Sequence, residues 1–412
     1  MRVLVLLAAA TACMGMPGFS DVRGGGQTLL GDIVQEFGLD VSVELQRGGT
    51  MAISPLSISS LLSVLMMGTE GRSNLELRRA LRIPDNMSEE DVHQAFKGLM
   101  ETLTRTGPDV TLNVANGLFL QTGSGIINEY TQKARTHYKS VVHALNFRNN
   151  SGQATHDINQ WVKQSTNGMI PELYTQPLSP DTTFVAVNTV FFNGKWHTPF
   201  LPIYTTEQEF DTGNGMIKVP MMSGTVPVDY IVIPELDAHM AAFPYKGGRQ
   251  SMFIILPKGP VTSDLEPLEQ ELSAERINGL IRNMTTVEMR VWVPRMRLSF
   301  KSQLKNTLIN LRVRSIFDQS TANFTRLSRE PVFVDSIVHE TVIEITEEGT
   351  KAAAATGSDL NRMGSSRIFV VNRPAIIFIR DMESGMPLFW AKLVKPEPIR
   401  TAADATASST PF

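Results

Sequence analysis

The chain has 412 residues, enough for one large domain or two ordinary ones, and at 42% hydrophobic it can bury a sizeable core. Its net charge of −3 gives no general pull toward nucleic acid or acidic membranes. A single cysteine, Cys13, excludes a disulfide framework and a thiol metal site.

Residues 1–18 have the form of an export signal, with Arg2 before an apolar run from Val3 to Ala12 that is too short to span a bilayer. Ala10-Thr11-Ala12 offers a cleavage site, with Gly15 and Gly18 as alternative ends. The mature chain then lacks cysteine, and a secreted, extracellular location is expected. Four sequons, at Asn86, Asn149, Asn283 and Asn323, are compatible with glycosylation after export, although so short a pattern also arises by chance. The main domain is expected over 19–396 and a disordered Ala/Thr/Ser-rich tail over 397–412.

Helical spacing runs through 27–46, with Leu29, Leu30, Ile33, Val34 and Phe37 on one face. Ala52 to Ile58 begins as a short strand, and a helix starts near Pro55, where the hydroxyls of Ser54 and Ser57 can satisfy free backbone donors. A further helix is expected over 88–104, opened by Ser88 with Glu89, Glu90 and Asp91 in its first turn. Leu112 to Leu120 is a strand, 156–168 a helix stopped by Gly168, and Phe184 to Phe192 an apolar strand. Ser251 to Pro257 has the apolar continuity of a buried strand, and 265–282 returns to helix. Val287 to Phe300 is expected as a pair of strands split by Pro294, and Lys301 to Leu311 as helix. Arg290, Arg295, Arg297, Lys301 and Lys305 form a loose basic cluster that is better explained as a solvated face than as a polyanion site.

The most unusual stretch lies between the strand-like runs Val342–Ile345 and Ile368–Val371. It opens Glu347-Glu348-Gly349-Thr350-Lys351 and continues through four alanines to Thr356. Gly349 and Gly357 bracket the alanines and work against an isolated helix. Strand alternation would put Thr350, Ala352, Ala354 and Thr356 on one face, all small enough to enter between strands already in place.

These words resemble the hinge and reactive-centre loop of the serpins, the serine protease inhibitor family, and Phe369 to Pro374 resembles the family's C-terminal signature. Further resemblance lies in Ser54-Pro55-Leu56-Ser57, Ala115 to Phe119, His156 to Gly168 and Val187 to Trp196, so it covers most of the chain. Two departures are Ala375, where the family usually has Phe, and Lys351, where Glu is common. The resemblance implies one α+β serpin fold with three β-sheets, about nine helices and an exposed reactive-centre loop. It also implies that Ser54, Ser57, Asn188, Trp196 and His339 control opening of the main sheet, with His339 near Asn188. The 88–104 helix carries only Lys97 with Arg105 beyond it, which argues against a heparin-type cofactor site.

No nucleophile elbow, zinc helix or phosphate loop is present, so an enzyme is not expected, and no cofactor or metal is called for. By resemblance the partner is an extracellular serine protease, which cuts the loop, forms an acyl-enzyme and is trapped as the loop inserts. Counting sixteen residues on from Glu347, the family spacing, places the scissile bond at Met363–Gly364 and suits a chymotrypsin- or elastase-like enzyme. Cleavage at Arg362–Met363 is the alternative and suits a trypsin-like one. The protein is expected to act as a monomer, without nucleic acid or membrane. The competing reading is a non-inhibitory serpin serving as carrier, storage protein or chaperone.

Overall fold

A computed structural model describes residues 28–45, 49–103, 109–349 and 367–401. The N-terminal part opens with α1 (Leu29–Leu45), β1 (Met51–Ile53) and α2 (Pro55–Met67). Ser54 caps α2, accepting from the Ser57 N–H, and Pro55 takes the first helical position, where its missing donor costs nothing. Next come α3 (Gly71–Ala80), α4 (Glu89–Leu103), β2 (Val110–Gln121), α5 (Asn128–Tyr138) and β3 (Val141–Leu145). A longer α6 (Phe147–Ser165) leads into β4 (Phe184–Gly194).

The middle of the chain is strand-rich: β5 (Thr206–Asp211), β6 (Met216–Ile233), β7 (Ala238–Pro244) and β8 (Gln250–Pro257). Two short helices, α7 (Glu266–Gln270) and α8 (Ala274–Arg282), replace the single helix expected over 265–282, because Ser273 caps a fresh start. After β9 (Thr285–Pro294), β10 (Met296–Gln303) and α9 (Lys305–Asn310) comes β11 (Ser336–Ile345). The chain closes with β12 (Ile368–Val370), β13 (Ala375–Asp381), β14 (Pro387–Leu393) and β15 (Glu397–Pro398). Nine α-helices thus stand among the described residues.

Among the described residues the strands form two hydrogen-bonded networks rather than three separate sheets. The larger runs β1-β14-β13-β8-β7-β6-β9-β12, with β5 also on β6, and it is continuous because the long β6 pairs with β5, β9 and β7 in turn. The smaller runs β15-β10-β11-β4-β2-β3. β9 ends on Pro294 and β10 starts at Met296, so the break falls at Arg295, and the two strands join different networks. Lys301 to Gln303 belong to β10, so the helix expected from 301 starts only at Lys305. β15 pairs with β10, so the first two residues of the expected tail lie in a strand.

α6 starts nine residues before the stretch expected to be helical. Asn146 caps it through the Asn149 N–H, and Asn150 kinks it at φ −151°, ψ 57°. One face packs Phe147, Ala154, Ile158 and Val162 over Val185, Val187, Val338 and Val342 of β4 and β11. The opposite faces of these strands enter the main core, so the β4–β11 seam is covered on both sides, as parallel pairing favours.

Candidate functional site

β11 and β4 lie side by side and parallel, in register from Ser336↔Val185 to Ile343↔Phe192. Period-two alternation sends His339 and Asn188 inward from the same rung, and antiparallel pairing adds Asn116 of β2 to that rung. α2 begins against it with Ser54 and Ser57, and all four of Ser54, Ser57, Asn188 and His339 are fully buried.

Their hydrogen bonds define a single arrangement. The Ser54 backbone N–H can only donate, and it donates to His339 Nε2 at 3.2 Å. The ring proton therefore sits on Nδ1, which donates to Asn188 Oδ1 at 2.5 Å. The amide Nδ2 of Asn188 in turn donates to Asn116 Oδ1 at 2.6 Å and lies 3.1 Å from the Ser57 carbonyl. Asn116 Nδ2 passes the chain on to Ser60 Oγ at 2.9 Å, and Thr341 Oγ1 ties the next inward position to the Ala52 carbonyl at 2.8 Å. Burial disfavours the imidazolium and pushes the His339 pKa down to about 3, so the ring is neutral in the folded protein.

A second cluster stands at the C-terminal end of β11. Thr346 and Gly349 close a tight turn, their N–H and C=O groups exchanging bonds of 2.9 and 3.1 Å. Gly349 sits at φ +113°, and a Cβ there would come 1.9 Å from the Gly194 carbonyl oxygen, so only glycine fits. Trp196 Nε1 donates to the Thr346 carbonyl at 2.8 Å, and its ring stacks on Tyr245 at 4.6 Å. The Trp196 and Phe200 N–H groups donate to the carbonyls of Glu348 and Glu347. The Glu347 carboxylate is buried, 2.8 Å from the Arg295 guanidinium, and accepts from Thr205 Oγ1 at 2.7 Å.

The five residues expected to govern sheet opening thus divide between two places. Ser54, Ser57, Asn188 and His339 share one rung, whereas Trp196 belongs with Glu347, Glu348 and Gly349 at the hinge. Thr350, Ala352, Ala354, Thr356, Arg362, Met363 and Gly364 lie outside the described residues, as do the export segment and residues 402–412. Asn86, Asn149 and Asn283 are exposed, and Asn323 is half-buried with its Oδ1 turned back to Thr325. Ala375 is fully buried opposite Leu393.

Sequence reasoning assigned no role to Asn116, Thr205 or Thr346, and it put Arg295 with the solvated basic cluster. Arg295 is buried against Glu347, while Arg297 and Lys301 donate to the carbonyls of Met169 and Leu173. Lys305 donates to the Asp335 carbonyl and Arg290 stacks over Trp292. Only Arg295 is buried; Arg290 and Lys301 are exposed, as a solvated face requires, and Arg297 and Lys305 are half-buried.

Comparisons with known proteins converge on one family. The family described as Serpin (serine protease inhibitor) matches residues 33–396. Intracellular coagulation inhibitor 2 of Tachypleus tridentatus is 30% identical over 94% of this chain and 96% of its own. Human leukocyte elastase inhibitor is 30% identical over 87% of this chain and 97% of its own. Human thyroxine-binding globulin, in a crystal structure of its thyroxine complex, shares the fold with a TM-score of 0.83 over 89% of this chain and 98% of that one, at 23% identity.

Proposed function

The chain belongs to the serpin family of serine protease inhibitors, and we propose that it is a secreted, single-use inhibitor that traps its target by loop insertion. The observation that carries this reading is the direct parallel pairing of β11 with β4, with the hinge Glu347–Gly349 leaving from the end of β11. A segment entering that seam would replace one parallel ladder by two antiparallel ones, which are slightly more stable per residue. About a dozen new backbone hydrogen bonds at roughly 1 kcal/mol each supply on the order of 10 kcal/mol.

In the proposed sequence the target's serine attacks the scissile carbonyl and expels the downstream amine, leaving the upstream half of the loop esterified to the enzyme. That half inserts as a new strand and carries the protease with it, distorting its active site before water can cleave the ester. Thr350, Ala352, Ala354 and Thr356 are small enough to enter the seam, which favours inhibition over the carrier or storage reading. We assign the scissile bond to Met363–Gly364, with Arg362–Met363 as the alternative, and the partner to a serine protease of matching pocket. The export signal, extracellular location and use of the exposed sequons are part of the same proposal.

The test mixes the purified protein with trypsin, chymotrypsin and elastase and looks for a complex that survives denaturing electrophoresis. A released fragment beginning at Gly364 supports Met363 as the specificity residue, and one beginning at Met363 transfers the role to Arg362. Efficient cleavage of the loop with no covalent complex would overturn the inhibitory reading.

A further inference from the structure

β12 joins β9 in parallel, with Ile368↔Arg290, Phe369↔Val291 and Val370↔Trp292 side by side. β6 lies on the other flank of β9, with Thr225↔Arg290 and Ser223↔Trp292. Strand alternation divides these rows between two faces. Phe369 and Val291 turn into the core, whereas Ile368, Arg290 and Trp292 turn outward. Ile368 is 54% exposed, and the Arg290 guanidinium lies 5.2 Å over the half-buried indole of Trp292. The face continues past β6, where Ser223 Oγ donates to the Tyr204 carbonyl at 2.9 Å. The turn Pro202–Tyr204 there presents Ile203, 79% exposed, beside Tyr204, 45% exposed. Of the seven large apolar side chains left exposed among the described residues, three thus stand on or beside this one face, a concentration that marks a contact surface.

Both ends of the hinge-to-β12 segment are fixed next to it. Glu347 accepts from the Phe200 N–H and from Thr205 Oγ1, on either side of the turn that carries Ile203. The Arg367 carbonyl accepts from the Arg290 N–H at 3.0 Å. Gly364, on the leaving side of the bond assigned above, comes three residues before Arg367. A chain spans at most about 3.6 Å per residue, so Gly364 stands within about 11 Å of Arg367. Cleavage at Arg362–Met363 adds one residue and about 4 Å. A domain of about 200 residues has a radius of gyration of about 16 Å, so the body of a protease closed on either bond reaches β12 and β9.

We propose that Ile368, Arg290 and Trp292, with Ile203 and Tyr204 at the far edge, form a second contact surface for the target protease. This rests on the inhibitory reading above. The partner surface it fits is an apolar patch edged with carboxylates or carbonyls, on the leaving-group side of the protease cleft. Trp and Arg are the side chains that most often dominate an interface, and their stack offers apolar area together with charged donors. Two strand spacings from β12 to β6 cover about 10 Å, well inside the footprint of a standard interface, about 800 Å² per partner. Such a surface sorts among proteases whose primary pockets all accept the same residue.

The test measures second-order rates of covalent complex formation with chymotrypsin, elastase and trypsin, together with the stoichiometry of inhibition and the urea midpoint. Arg290→Gln and Ile368→Ser are the variants, and Leu75→Ser, at a position 50% exposed on α3, is the control. Each variant should slow complex formation at least fivefold with an enzyme that the wild type traps, and the control should not. Stoichiometry and urea midpoint should be unchanged, and raised salt should shrink the Arg290→Gln effect. Wild-type rates in both variants, with every enzyme that is trapped, overturn the surface and leave the inhibitory reading standing. Slower complex formation with a raised stoichiometry or a lowered midpoint assigns the effect to insertion or folding and also overturns the surface. Absence of any covalent complex from the wild type overturns the inhibitory reading itself, and the surface falls with it.

Discussion

Changing Glu347 to Gln keeps the shape of the hinge contact and removes its charge. Oε1 of Glu347 lies 2.8 Å from Arg295 and 2.7 Å from Thr205 Oγ1, and the side chains of Arg295 and Glu347 are 4% and 9% exposed. An amide oxygen can still accept from both groups, so what is lost is the difference between charge-assisted and neutral hydrogen bonds, about 1–2 kcal/mol. The Arg295 guanidinium also loses its buried counter-charge while retaining the Ile399 carbonyl at 2.8 Å, which brings the expected cost to about 2–3 kcal/mol. Arg295→Met should cost a similar amount, because it strands the carboxylate. The double variant places two neutral groups together, and its destabilisation should fall short of the sum by about 2 kcal/mol. Urea unfolding of the uncleaved protein measures this cycle, and the coupling should change little with salt because the pair is shielded from solvent. Additivity within about 0.5 kcal/mol would refute the pair as a latch on the hinge.

His339 makes stability depend on pH in a definite direction. Its pKa falls from 6.5 to about 3 on folding, so below about pH 6.5 the unfolded chain takes up a proton that the folded one refuses. Its contribution is complete above that pH and is lost by about 1.4 kcal/mol per unit as pH falls toward 3. Stability measured from pH 6 to 4 should therefore fall less steeply in His339→Gln, and identical slopes would contradict a buried neutral ring. Gly349→Ala forces a Cβ against Gly194 at a positive φ and should lower the urea midpoint of the uncleaved protein by an amount worth about 2 kcal/mol or more. Unchanged stability would show that the turn is not held as described. Thr350→Arg should leave the loop cleavable and abolish trapping, because insertion would bury a charge. A stable covalent complex from that variant would sink the insertion mechanism.

What was legible in the sequence was local. Ser54-Pro55 announced the start of α2 because a cap and an N1 proline act within one turn, and Ser88 with Asp91 announced α4 in the same way. The start of α6 was hidden by Asn149-Asn150-Ser151-Gly152, whose low propensity is overridden by the packing of Phe147 and Ala154 onto β4 and β11. Pro294 marked a break between strands, but the partners of β9 and β10 come from distant segments, which no local pattern specifies. Arg295 illustrates the same gap in the site. An arginine within a strand pattern looks alike exposed or buried until the acid that meets it, 52 residues later, is placed. Asn116 was present in a recognised word yet had no role until register set it beside Asn188. The family words were visible, and the hydrogen bonds joining them were not.

In the proposed mechanism the arrangement of the two clusters would set the order in which the seam opens. Ile345 and the turn at Thr346–Gly349 mark the hinge end of β11, so a strand entering from the hinge meets Ile343↔Phe192 first. Val342↔Phe191, Thr341↔Val190 and Glu340↔Thr189 follow, and only the fifth pair is His339↔Asn188. The first two steps would therefore separate apolar pairs, and the next two pairs that include Thr341, Glu340 and Thr189. Then the strand reaches a rung where His339, Asn188, Asn116, Ser54 and Ser57 satisfy one another's donors and acceptors with no solvent exposed. Parting His339 from Asn188 would strand several buried polar groups together, each costing about 1–3 kcal/mol until an entering backbone supplies partners. Under the proposed insertion such a rung would resist partial opening and give way once the entering strand could replace what it breaks, so the seam would switch between two states rather than deform gradually. On the proposed path the buried Glu347–Arg295 pair would stand at the start and the polar rung in the middle, so weakening either should ease entry into the seam without altering the bond the protease cuts.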